Sequence, residues 1–179
     1  GDFLPPPYNR LPSLVMALTG IAQQSRSDYR LIVADQSDSP VSAAPAVGAL
    51  FRFIEARGGQ GDYHPRPPLH GIAEQRDFLL RQSSAPYVLY IDDDVLMEPW
   101  VLEKLASLLA EQGCAFIGAF GAGLSFLEDV RPEQQVVEFW EGRVQPEVVE
   151  PGSPAWERWN IHRAANLYHF SRRLAPGEV

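Results

Sequence analysis

Three consecutive carboxylates, Asp92, Asp93 and Asp94, follow directly on the apolar run Tyr87-Val88-Leu89-Tyr90-Ile91. Like charges this close raise one another's pKa unless a cation or a set of donors compensates. Their oxygens are hard ligands of the kind that suits Mg2+ or Mn2+, and such an ion would in turn bridge a diphosphate. On a strand, alternate side chains leave on opposite faces, so Asp92 and Asp94 could share a side; a turn at this point would change that. The competing reading makes the three a helix cap or a solvated turn; the strand before them and Pro99 five residues after Asp94 weigh against it. A further carboxylate, Asp35, ends a second apolar run, Tyr29 to Ala34, and is followed by the polar stretch Gln36-Ser37-Asp38-Ser39-Pro40. This reads as a buried strand delivering a carboxylate at its C-terminal end.

The elements that would hold these residues alternate in type. Phe3-Leu4 is a stub of a strand, cut short by Pro5-Pro6-Pro7. Leu11 to Gln24 repeats apolar residues at a helical period, with Pro12 near the start where its missing N–H costs nothing. After the strand at Tyr29–Ala34, Ala46 to Ala56 reads as a short helix, although Phe51 to Ile54 also fits a strand. Gly58 to Pro68 is expected as loop, and Gly71 to Gln82 as a helix. Tyr87 to Ile91 is predicted as a second buried strand, and Trp100 to Gln112 as a helix turning Val101, Leu102, Leu105, Leu108 and Leu109 to a core. Ala115 to Phe120 is a third strand candidate, and a hairpin is expected from Gln135 to Trp140 and Arg143 to Val149. Strands that are apolar throughout, alternating with helices, indicate an α/β three-layer sandwich with a mostly parallel sheet. Ligands of such sheets bind beyond the carboxyl ends of the strands, where Asp35 and Asp92 to Asp94 fall.

Composition narrows the class. A chain of 179 residues, 45% hydrophobic and 21% charged, has the make-up of one globular domain. Its net charge of −8 argues against nucleic acid as a main partner, because phosphate backbones call for a basic face. The single cysteine, Cys114, allows no intrachain disulfide, lies in an apolar run where a buried thiol is expected, and makes a reducing, cytoplasmic compartment the default. No stretch approaches the ~20 apolar residues of a membrane span, so membrane association would come from parts outside this chain.

The ordered set of motifs resembles family 2 glycosyltransferases. The residues that carry the resemblance are Pro7-Tyr8-Asn9-Arg10 after the first strand, Gln23-Gln24, and the strand ending at Asp35. They continue with Gly71-Ile72-Ala73-Glu74-Gln75-Arg76-Asp77, the strand ending in Asp92-Asp93-Asp94, and the helix led by Pro99. The resemblance holds over roughly residues 3 to 110. It implies a GT-A fold that binds a nucleotide-diphosphate sugar, with residues 1–112 as the donor-binding half and 113–179 as part of an acceptor-side half of one domain. On that resemblance Asp35 accepts hydrogen bonds from the base, most often uracil; Pro7 and Tyr8 line the nucleoside pocket, with Arg10 nearby. Arg76 approaches the base or the diphosphate, Asp93 contacts the ribose or the metal, and Asp94, with Asp92, ligates Mn2+ or Mg2+. Plainer readings are a turn-forming Asp35, a surface Arg76 and a Tyr8 that only packs.

The sequence also departs from the family pattern. Asp77 stands where the family has asparagine. His64 and His70 match no family motif and are expected in an exposed loop. Ala165 to Arg173 resembles the family strand that returns under the acceptor site, after which the family continues to a Glu-Asp pair whose aspartate is the general base. The chain is therefore expected to be truncated before that base. Its own Glu128-Asp129 lies early, which leaves Asp129 a weak candidate for the role. Trp156, Trp159, His162, Arg163, Tyr168 and His169 form an aromatic and basic cluster that fits sugar stacking or plain packing, and His162 and His169, seven apart, would share a helix face. The function expected is inverting, metal-dependent sugar transfer from a nucleotide-diphosphate donor, a UDP-sugar first, to a carbohydrate or lipid-linked hydroxyl. The alternative is a non-catalytic nucleotide-sugar or carbohydrate-binding module. A nucleotidylyltransferase would want a Gly-rich basic loop where Pro5-Pro6-Pro7 stands, and a phosphatase would want a threonine where Val95-Leu96 follow the aspartates.

Overall fold

A computed structural model describes residues 2–119, 142, 143, 145 and 147–157 of the chain. The chain divides into two compact units, Gly1–Glu103 and Lys104–Val179. The first holds a four-stranded sheet of β1 (Asp2–Leu4), β2 (Arg30–Asp35), β3 (Gln60–Pro65) and β4 (Val88–Tyr90), in the order β3-β2-β1-β4. Every pairing is parallel. Helices α1 (Leu11–Ala22), α2 (Pro45–Ala56) and α3 (Ile72–Gln82) connect successive strands, and α4 (Val101–Gln112) follows β4.

The alternation of β2 shows how the layers form. Leu31 and Val33 enter one apolar cluster with Phe3, Leu14, Leu18, Ile21, Val47, Ile54 and Ile91, so α1 and α2 cover that face. Ile32 and Ala34 point the other way, onto Leu79 and Phe78 of α3. Neighbouring residues of one strand thus feed opposite cores, which is why the strand is apolar throughout. In α1, Leu14, Ala17, Leu18 and Ile21 are all buried, at the i, i+3, i+4, i+7 spacing that turns one stripe inward. Burial is worth roughly 1.5–3 kcal/mol for each large side chain in such a stripe.

The three prolines after β1 do not end its pairing at once. They have no N–H to give, but the Pro5 and Pro7 carbonyls accept from the Ala34 and Gln36 amides at 3.3 and 3.0 Å. The end of β1 therefore stays tied to the end of β2 after the regular strand has stopped. The C-terminal end of α1 is tied to the segment after β4 by Gln24. Its fully buried amide donates to the Gly20 and Glu98 carbonyls and accepts from the Leu102 amide, each at 2.9 Å.

Several expectations need correction. Gly58 to Pro68 is not all loop, because Gln60–Pro65 forms strand β3, paired along its whole length with β2. The strand has polar, half-exposed side chains, so its backbone pairing left no apolar signature to read. Residues 51–54 are helical, inside α2. β4 is half-exposed rather than buried, with Tyr90 open to solvent. No residue of α4 is fully buried, and its Val101 and Leu102 only partly pack on the core. Residues 115–119 form no strand, Cys114 is half-buried and Phe116 is exposed. An apolar run becomes a strand only where a sheet edge accepts its backbone, and 115–119 pairs with none among the described residues. Most of the expected hairpin, 135–140 and 143–149, lies outside the described residues, as do Asp129, Trp159, His162 and 165–173.

Candidate donor site

The strand order sets the carboxyl ends of β1 and β4 side by side. From β1 the chain moves outward through β2 to β3, then crosses back to lay β4 on the other side of β1. The chain leaving β1 leads into α1 and the chain leaving β4 into residues 95–102, and the two pack in one apolar cluster. Open parallel sheets take their ligands beyond the carboxyl ends of their strands. Arg10 comes from the segment after β1, and Asp92 to Asp94 come from the segment after β4.

The three aspartates alternate. The side chains of Asp92 and Asp94 are 58% and 45% exposed, and that of Asp93 is only 9% exposed. β4 ends at Tyr90 and Asp93-Asp94 lie in a turn, so the alternation expected of a strand does not govern them, although Asp92 and Asp94 are the exposed pair. Two guanidiniums balance the three carboxylates. Arg10 spans two of them, Nη1 to Asp93 Oδ1 at 3.2 Å and Nη2 to Asp94 Oδ2 at 2.7 Å. Arg76 Nη2 lies 3.2 Å from Asp92 Oδ1, and its guanidinium stands 5.9 Å from the Tyr90 ring centroid. Burial pushes the Asp93 carboxyl above its usual range, Arg10 opposes this and Asp94 adds to it; the Tyr8 backbone N–H also bonds to Asp93. Arg10 is held more firmly protonated, first by its hydrogen bond to Asp94 and then by the charge of Asp93.

Asp35 is almost completely buried, at 2% exposure. One carboxylate oxygen accepts from the Ser37 amide at 2.9 Å, and the other accepts from the Val41 amide at 2.8 Å and from the Tyr63 hydroxyl. Burial raises this carboxyl's pKa, but the bonds from Ser37, Tyr63 and Val41 outweigh it and hold Asp35 below the usual carboxylate range. The carboxylate thus organises the loop that follows β2.

That loop is latched to the one after β1. Asn9 donates its amide N–H to Ser37 Oγ at 2.8 Å and its side-chain amide to Asp38 Oδ2 at 2.8 Å, while accepting from the Asp38 amide at 3.0 Å. Asn9 has φ of 51°, a left-handed conformation that asparagine tolerates better than most residues. Pro7 is buried beside this latch, and Tyr8 is 39% exposed. Sequence reasoning quoted Asn9 without giving it a task and missed Ser37 and Tyr63. The polar run after Asp35 carried a turn signal that pointed to Ser37. Tyr63 had none, because its strand read as loop.

His64 is not in a loop, and His70 lies in the loop before α3 but is half-buried rather than exposed. His64 belongs to β3, half-buried and edge-on to Phe78 with ring centroids 5.5 Å apart. His70 is half-buried with Nδ1 at 2.7 Å from Glu74 Oε1. The Arg66 guanidinium stacks 3.9 Å from the Phe78 centroid. Asp77 pairs with Arg81 one turn along α3, at 2.7 Å, so its charge is answered within the helix.

The residues fit a divalent cation by donor chemistry. Asp92 and Asp94 present exposed oxygen ligands, and the guanidiniums on them show that the place attracts positive charge. Among the described residues no three acidic, histidine or cysteine side chains converge on one point. The fit is therefore to an ion taking one or two carboxylates and filling its shell with water and phosphate oxygens, as Mg2+ does.

The sequence matches the family described as Glycosyl transferase family 2 over residues 6–162. This chain belongs to glycosyl transferase family 2. Among solved structures it is similar to the mannosyltransferase PcManGT from Pyrobaculum calidifontis, in complex with GDP-Man and Mn2+, at 20% identity and a TM-score of 0.50. That match covers 68% of this chain and 34% of the mannosyltransferase. It is also similar to S. aureus TarS 1-349, at 15% identity and a TM-score of 0.49, covering 71% of this chain and 39% of that one. The chain thus spans well under half the length of these structures. No curated protein matches it. The family 2 assignment and the parallel sheet with helices on both faces bear out the GT-A fold. The family match takes in every residue expected to bind donor, from Pro7 to Asp94.

Proposed function

We propose that this family 2 chain is the donor-binding part of an enzyme that moves a sugar from a nucleoside diphosphate, UDP first among candidates, to an acceptor hydroxyl on a carbohydrate or lipid-linked molecule. The reaction inverts the anomeric carbon and uses Mn2+ or Mg2+. Residues 1–112 form the donor half and 113–179 contribute to the acceptor side. A lone cysteine, which forms no intrachain disulfide, supports a cytoplasmic location. No helix among the described residues is long and apolar enough to cross a membrane.

The observation that carries this reading is the meeting of Arg10 with Asp93 and Asp94 at the carboxyl ends of β1 and β4. A site of mixed sign at that place suits a ligand whose charge is a diphosphate carrying a divalent cation. Pro7 and Tyr8 line the nucleoside pocket, and Asp35, held by its loop, faces the base through the segment it organises. Asp93 meets the ribose or the cation. A divalent ion held by Asp94 and Asp92 would neutralise charge building on the leaving diphosphate. Arg76 and Arg10 supply further donors to the same oxygens, and a guanidinium fork suits planar or paired acceptors. The acceptor hydroxyl loses its proton to a carboxylate base, for which Asp129 is this chain's candidate, and its oxygen forms the new bond to the anomeric carbon. The bond from that carbon to the β-phosphate oxygen breaks, its electron pair leaving with the nucleoside diphosphate.

The test is calorimetric titration of the chain with UDP and with GDP, each with and without Mn2+. Metal-dependent binding of one nucleotide is expected, and D94A should remove the metal dependence. Binding of neither nucleotide would sink the reading. Binding without sugar transfer to any acceptor would turn it into a nucleotide-sugar-binding module.

A further inference from the structure

The chain supplies its own cation to the carboxylates proposed to hold a metal. Arg10 reaches both Asp93 and Asp94 with separate nitrogens, at 3.2 and 2.7 Å. We infer that Arg10 is an exchangeable counter-ion: it occupies these carboxylates until a metal–diphosphate pair arrives, then passes from the aspartates to the diphosphate. The inference rests on the donor-site reading above and adds an order of events to it.

Three features make Arg10 the mobile partner. Its backbone is pinned, since the preceding Asn9 is latched to Ser37 and Asp38 and the Arg10 carbonyl accepts from the Leu14 amide at the start of α1, at 2.9 Å. Its side chain is long and half exposed, so the guanidinium can swing while the backbone stays. Asp93 is buried and cannot turn away. A divalent ion set on Asp94 would stand within a few ångströms of the guanidinium, where like charges repel. The anion arriving with that ion is the diphosphate, and a guanidinium pairs well with its oxygens. Metal alone must displace Arg10 without giving it a new partner, and nucleotide alone finds Arg10 already engaged. Each therefore binds better in the presence of the other, and by linkage the gain is the same in both directions.

The experiment titrates Mn2+ into the wild-type chain and into R10M without nucleotide, following free Mn2+ by its paramagnetic resonance signal. It then repeats the titrations at saturating UDP or GDP, whichever binds. R10M should bind Mn2+ alone about two- to five-fold more tightly than wild type, the range that losing a half-exposed competing ion pair allows. The factor by which metal improves nucleotide affinity should fall in R10M by a similar amount. R10K, which keeps the charge but loses the fork, should lie between the two, and it decides the matter if R10M does not fold. Mn2+ affinity without nucleotide that is unchanged or weaker in the decisive variant overturns the inference. Metal-dependent nucleotide binding by the wild type is read in the same series, so failure of the donor-site reading shows separately.

Discussion

Asp35 and Asp93 are both buried carboxylates at strand ends, and their surroundings push them in opposite directions. Asp35 collects donors from Ser37, Val41 and Tyr63, and its pKa falls below the ordinary 3.8. Asp93 has burial and a neighbouring Asp94 against it, with Arg10 in partial compensation, and its pKa rises above 3.8. The linkage signs follow. A depressed folded pKa gives Asp35 a stabilising contribution that is present above pH 3.8 and lost as pH falls through the folded value. A raised folded pKa means that Asp93 costs the native state nothing below pH 3.8, and that stability is lost as pH rises through its folded value. D35N should therefore be less stable than wild type at pH 7 by about 2–3 kcal/mol, the worth of charged hydrogen bonds left mismatched, with the deficit closing in acid. D93N should be at least as stable as wild type at pH 7, converging with it toward pH 3.8, while losing nucleotide affinity. Urea unfolding at pH 7 and at pH 4 measures both, and a D93N clearly less stable than wild type at neutral pH would reverse the assigned sign. Aspartates at the ends of apolar runs were legible from the sequence. The opposed environments were not, since they depend on Tyr63 and Arg10 arriving from 28 and 83 residues away.

At the scale of elements, the aspartates are placed by the contact between α1 and the segment after β4. Gln24 stitches the two with three hydrogen bonds, and Ser25 adds its amide to the Pro99 carbonyl at 2.7 Å. Gly20 lets them approach, because a Cβ there would lie 2.7 Å from the Met97 amide nitrogen and 3.1 Å from its carbonyl oxygen. Backbone atoms cannot step aside as a flexible side chain can. G20A should push the 95–99 segment outward, cost about 1–3 kcal/mol of stability, and weaken metal-dependent nucleotide binding without touching a ligand. Unfolding and nucleotide titration of the one variant test both halves, and full affinity in a destabilised protein would show that the aspartates are positioned some other way. Helices α1, α3 and α4 and strands β1, β2 and β4 could be read from apolar period and from prolines to within a residue or two. β3 could not: Gln-Gly-Asp-Tyr-His-Pro carries no strand pattern, and only pairing with β2 makes it one. That misreading hid Tyr63 and put His64 in a loop.

For the whole molecule, the apolar strands and intervening helices predicted a parallel α/β sheet, but the strand order was beyond their reach. Periodicity says what each element is, and only the crossover of α3 from β3 to β4 sets β4 beside β1 and brings the aspartates against Arg10. Every residue proposed to bind donor belongs to the unit Gly1–Glu103. A ligand that binds only the folded form stabilises it by RT ln(1 + [L]/Kd), about 2.7 kcal/mol at a hundred times Kd. For a chain of this size that corresponds to a rise of roughly 5–11 °C in melting temperature. If the two units unfold separately, Mn2+ with the binding nucleotide should raise only the transition belonging to the first, which holds every residue proposed to bind donor. Calorimetric scans of wild type and D94A, with and without nucleotide and Mn2+, distinguish the outcomes. A shift that survives D94A would place the metal elsewhere. A shift confined to the other transition would move donor binding out of this site altogether.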